Sequence, residues 1–180
     1  MSRVGTRLGF SATAILLLLG TTALAGNVHL KPPNSSPSFT DQGTTLNATG
    51  ALAGLGSGDV IVNLSGDANA TTVCTNPGGN QAPGQNPGPV SVTGSTVIPG
   101  KEIKNGNTTF TVTTVAPVSP IPGAPGCPNS GWTETITDLS FTNATIDVKQ
   151  GGATQLSITC VFQPATSNGP VPKQTVTCGQ

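Results

Sequence analysis

The stretch Gln155-Leu-Ser-Ile-Thr-Cys-Val-Phe162, a Pro/Asn/Gly segment, and then Lys173-Gln-Thr-Val-Thr-Cys-Gly179 decide how this chain folds. Leu156, Ile158, Cys160 and Phe162 alternate with Gln155, Ser157 and Thr159, which is the period of a strand with one buried face. Val176 and Cys178 share a phase in the second run. When the two runs are folded antiparallel about Gly169, Cys160 falls opposite Cys178 and Phe162 opposite Val176. One register thus satisfies the thiols and the apolar face together. Residues directly opposed on antiparallel strands lie ~4.5–5.5 Å apart at Cα, close to the separation a disulfide requires. The expectation is a covalently stapled β-hairpin.

Working outward, the remaining two cysteines are Cys74 and Cys127. Four cysteines allow three pairings, and the hairpin register selects Cys160–Cys178 and Cys74–Cys127. Disulfides imply an oxidising compartment, and the first residues supply the route to one. Arg3 and Arg7 form a positive n-region, Phe10 to Leu19 an apolar core, and Ala23-Leu-Ala25 an A-x-A cleavage site. That run is shorter than the ~20 residues that span a bilayer. Residues 1–25 therefore read as a cleaved signal peptide and 26–180 as a single secreted domain. The expected localisation is extracellular, with no membrane span after cleavage.

Residues 26–180 keep five lysines against seven carboxylates, a net charge of −2. No basic patch is available for phosphates, so nucleic acid is not an expected partner. The surface must instead be covered by Thr, Ser, Asn and Gln. Thr and Val are abundant and the strong helix formers sparse. Val60, Val62 and Leu64 alternate with Ile61, Asn63 and Ser65; Val90 to Ile98 reads as a strand with Gly94 as a bulge position, and Thr108 to Val115 as a strand with Phe110 and Val112 in phase. Ala144, Ile146 and Val148 also alternate, but out of phase with Leu139 and Phe141, which predicts a bulge or tight turn near Thr142–Asn143. Gly66-Asp67-Ala68-Asn69 reads as a turn, and so does Gly151-Gly152. Asn27 to Thr40 reads as an extended lead-in. Two Pro/Gly-rich loops lie at 76–89 and 117–131; the first carries no charge and no core residue, and a Cys74–Cys127 bridge would tie them together. Short strands with frequent turn signals imply an all-β antiparallel sandwich, immunoglobulin-like in the broad sense, of about seven to nine strands with two disulfides.

The residues that carry chemistry are few. The single histidine, His29, lies near the start of the mature chain; there is no tyrosine, and no G-x-S-x-G turn. Asp59/Asp67 and Asp138/Asp147 are the carboxylate pairs an acid–base site could use, but each reads more simply as turn or solvated strand. No segment carries the D-x-[DN]-x-[DN]-G oxygen ladder of a calcium loop. The expectation is a non-enzyme without metal or cofactor. Six N-x-[ST] sequons stand at Asn34, Asn47, Asn63, Asn69, Asn107 and Asn143, and Asn63 is outward in the strand phasing, which permits a glycan. Trp132, at a loop-to-strand junction, is the remaining candidate. It either plugs the core beside Cys127 or forms a stacking platform for a sugar ring. The composition resembles that of small exported β-sandwich proteins of cell surfaces. That implies a structural or interaction role, with an extracellular protein or polysaccharide as partner, or alternatively a carbohydrate- or cell-wall-binding module using Trp132 and the polar loops. Uncharged strands such as Thr108 to Val115 would also permit self-association edge to edge.

Overall fold

The structure is a computed structural model that describes residues 27–32, 36–85 and 87–180. The signal-peptide segment and the Asn34 sequon lie outside the described residues. Among the described residues eleven strands form two antiparallel sheets and there is no α-helix. The fold is a β-sandwich with two disulfides.

The first sheet contains β1 (His29–Leu30), β2 (Ser38–Asp41), β3 (Leu46–Ala53), β7 (Thr108–Thr113) and β10 (Gly169–Pro170), in the order β1-β3-β2-β10 with β7 on β3. The second contains β4 (Val60–Thr75), β5 (Gln81–Pro83), β6 (Pro89–Ile98), β8 (Thr133–Gln150), β9 (Ala153–Phe162) and β11 (Val176–Gly179), in the order β11-β9-β8-β4-β5 with β6 on β4.

The central pair of the second sheet is β4 and β8, two strands far longer than any single alternating run in the sequence. Gly66 to Asn69 is not a turn. It lies inside β4, where Asp67 and Ala68 oppose Asn143 and Phe141. Glycine, aspartate and asparagine favour turns locally, but cross-strand packing overrides the preference. The Phe141 ring covers Gly66, with its Cδ1 only 3.2 Å from where a Cβ would stand. The phase change in β8 is the expected bulge. Thr142 is the extra residue between the Ala68–Phe141 and Asp67–Asn143 pairs, and a second extra residue, Thr137, follows between Thr71–Asp138 and Thr72–Ile136. Gly151 and Gly152, both at positive φ, turn β8 into β9.

The C-terminal register is as expected: Cys160 pairs with Cys178 and Phe162 with Val176, and the two cysteines are disulfide-bonded with a Cα separation of 4.0 Å. The connection is not a simple hairpin loop. It leaves the second sheet, adds β10 to β2 in the first, and returns. The lead-in likewise contains an unexpected strand, β2. Its Phe39 meets Phe162 edge-on at 5.1 Å between centroids, joining the two sheets.

The core fills the space between the sheets. Leu46, Leu52, Val60, Val62, Leu64, Leu139, Phe141, Ile146 and Val148 are all buried to within about a percent of complete. Gly50, which interrupts β3 in the sequence, is needed there. It pairs with Phe110, whose ring lies 2.6 Å from where a Cβ would stand, so a side chain there would collide with it.

Candidate functional site

Two regions bring polar side chains together: the end of the sandwich that carries the Pro/Gly loops, and the outer faces of the sheets. At the loop end, Cys74 closes β4 onto Cys127 through a disulfide with a Cα separation of 5.7 Å. The bridge does tie the two loops, and backbone bonds help it. Gln85 N donates to Gly126 O at 2.8 Å, and Ile121 N donates to Glu134 O at 2.7 Å. Glu134, 1 % exposed, accepts from Gly126 N through Oε2 at 2.9 Å. Ser119 Oγ accepts from Ile136 N at 3.1 Å. Segment 76–89 is not simply a loop either, because β5 folds back onto β4. The sequence gives little sign of this anchoring, since a lone glutamate in a Thr-rich run reads as a solvated strand residue.

Trp132 stands at the mouth of this end, where Asn129 closes a turn by accepting from Gly131 N and Trp132 N. It is half-buried. Among the described residues it is not one of those that build the core, which is formed by aliphatic and phenylalanine side chains.

The carboxylates are dispersed. Asp138 and Asp147 are nine residues apart on β8, roughly 30 Å along the strand. Asp59 precedes β4 and accepts from Gly100 N at 2.8 Å, while Asp67 lies mid-strand and accepts from Ser91 Oγ at 2.6 Å. Asp67 is therefore strand rather than the turn residue expected, and neither pair can act on one bond. The structure instead brings Asp41 towards Asp138. Asp41 is 2 % exposed and accepts from Gly43 N at 2.9 Å and from the Thr166 hydroxyl. Thr166 Oγ1 in turn accepts from Phe141 N, so this chain laces β2 to β8 across the sandwich. Burial pushes the Asp41 carboxyl above its ordinary value; the Thr166 and Gly43 hydrogen bonds oppose the shift, and the Asp138 charge adds to it. Among the described residues no group of three or more His, Cys, Asp or Glu side chains converges as a metal site would. His29 Nδ1 lies 2.7 Å from Asn27 O on the edge strand β1.

Among the shallow grooves of the surface, two of about 450 Å³ each lie on the sheets. One lies on the first sheet among Lys31, Ser38, Thr49, Thr109 and Thr111. The other lies on the second sheet among Asn63, Ser65, Thr93, Ser95, Thr145 and Asp147, with Val115 at its margin. Asn47, on the first face, is consumed internally: its Nδ2 donates to Thr113 Oγ1 at 2.8 Å. The edge expected at Thr108 to Val115 is closed at its end, since Val115 N donates to Thr93 O at 2.8 Å and Gly94 sits against the Thr113 carbonyl.

Comparison of the chain with protein-family models, with curated proteins and with solved structures finds no match. Among the described residues no helix is long and apolar enough to cross a membrane.

Proposed function

We propose that this is an exported, non-catalytic interaction protein that works outside the cell. The observation that supports this reading most is the combination of a doubly disulfide-bonded sandwich with broad outer faces of short hydroxyl and amide side chains. Such faces are solvated without carrying a strong field, and the strands beneath hold them rigid. Rigid framing lowers the ordering cost of binding. Disulfides belong to an oxidising compartment, consistent with the leader-like residues 1–25.

The test is retention of the purified, oxidised protein on insoluble polysaccharides, cell-wall preparations and immobilised extracellular proteins. Saturable retention on at least one of these matrices is the expected result. Retention on none would count against the interaction reading.

A second reading favours a cell-wall polysaccharide contact through Trp132. It is favoured by the position of that indole outside the core, at the mouth of a stapled loop. Tryptophan presents an apolar face with a polar tip and suits sugar stacking. Loss of retention in Trp132→Ala, with the fold intact, is the result it requires.

A further inference from the structure

The groove on the second sheet is assembled by register. Asn63 on β4 lies between Ser95 on β6 and Asp147 on β8. Two residues further along β4, Ser65 lies between Thr93 and Thr145. The six side chains form two rows across three neighbouring strands. With strands ~4.8 Å apart and a rise of ~3.3 Å per residue, the grid covers about 10 Å by about 7 Å. That is the footprint of one or two pyranose rings. Thr145 is tied to Thr159 by a hydroxyl pair at 3.3 Å, which closes the side towards β9. Val115, 72 % exposed, stands at the opposite side, beyond Thr93.

This grid differs from the first-sheet groove in its side chains: it adds an amide and a carboxylate to the hydroxyls, where the other carries Lys31. Asn63, Ser65, Thr93, Ser95 and Asp147 make no side-chain hydrogen bond to other described residues. Asn63 offers two donors and an acceptor, each hydroxyl offers both roles, and ionised Asp147 accepts only. A neutral polyol supplies donors and acceptors in the same mixture. An anionic ligand would meet Asp147 as a like charge, and a cation would find a single carboxylate among neutral hydroxyls and one amide, a low ligand charge for a calcium site. The short side chains lose little rotamer entropy when they are fixed.

We infer that the Asn63–Ser65–Thr93–Ser95–Asp147 groove of the second sheet binds a neutral saccharide, with the Val115 methyls against the C–H face of the ring. This rests on the interaction reading above and names the ligand class and the site.

The experiment is an amide NMR titration of the oxidised, signal-free chain with soluble cello-, xylo-, manno-, laminari- and chito-oligosaccharides. Concentrations should reach about 10 mM, above the roughly millimolar Kd that a few hydrogen bonds support. At least one sugar is expected to shift the amides of residues 63, 65, 93, 95 and 147 saturably. Ser65→Ala/Ser95→Ala should weaken that binding about tenfold or more. Asp147→Asn serves as the second variant, on a different strand, should the double serine variant lose its native spectrum. No shift at these residues with any sugar, or unaltered affinity in a folded groove variant, overturns the inference. If the protein is still retained on a wall or protein matrix in that case, the interaction reading survives and the saccharide groove does not. If nothing retains it, the interaction reading fails as well.

Discussion

The groove on the second sheet and the loop end around Trp132 are held in place by different means. The groove sits on β4, β6 and β8, whose inward side chains are core: Val62 and Leu64 lie beneath it and are essentially buried. Its geometry follows from strand register, so the rigidity comes from long-range pairing and packing. The loop end has few apolar residues to pack. It is positioned by one disulfide, one buried glutamate and a handful of backbone bonds. A polar surface can thus be preorganised by a core beneath it or by staples beside it, and the two respond differently to the same damage.

The largest expected effect falls on the strand-framed region. Phe141→Ala removes a ring packed between the sheets and over Gly66. A cost in the upper part of the ~3–5 kcal/mol range for buried Phe→Ala is expected. It should appear as a lower urea midpoint with an unchanged slope and as weakened protection across β4 and β8. Protection lost only near the loops would mean that the core does not hold the groove strands.

Next comes Cys74→Ser/Cys127→Ser. The closed loop spans 53 residues, worth about 4 kcal/mol in the chain-entropy model. Hydrogen exchange should accelerate most in residues 117–131, while β4 and β6 amides around the groove lose only the protection that the lower global stability removes.

Glu134→Ala is a smaller version of the same damage. It leaves the Gly126 amide without its acceptor, at a cost of about 1–3 kcal/mol, and fast exchange of the Gly126 amide should report it. A neutral effect would mean that the disulfide alone positions the loop.

The smallest effect concerns Asp41, which belongs to neither region but laces the sheets together. Its carboxyl is held above the ordinary value in the folded state, first by burial. The folded chain therefore keeps this proton to higher pH than the unfolded chain, whose Asp titrates near ~3.9. Its contribution is fully present below that pH and is lost as pH rises through the raised folded value. Thermal midpoints of wild type should fall relative to Asp41→Asn as pH rises from about 4. Parallel pH profiles for the two proteins would contradict this account of Asp41.

Much of the architecture was legible where the signal was local. The Cys160–Cys178 register followed from one alternating run and one phase match, and the Thr142 bulge from a break in phase. The continuity of β4 was not legible, because Gly66-Asp67-Ala68-Asn69 has the composition of a turn and becomes strand only with Phe141 and β6 against it. β2 was hidden for a similar reason: four residues after a proline-rich lead carry no period of their own. The groove was illegible residue by residue. Asn63, Thr93 and Asp147 are ordinary strand-surface residues, and only the pairing of β4 with two partners sets them side by side. Trp132 was visible as a lone indole; the sequence left open whether the core would absorb it, and the structure places it outside.

The most direct test of the central contrast is retention of wild type and Cys74→Ser/Cys127→Ser on the same matrix, each with its native spectrum verified. The strand-framed site predicts equal retention, since the missing staple loosens only the loop end. Retention lost with the staple, while β4, β6 and β8 remain folded, would contradict that account and move the binding surface to the Trp132 end.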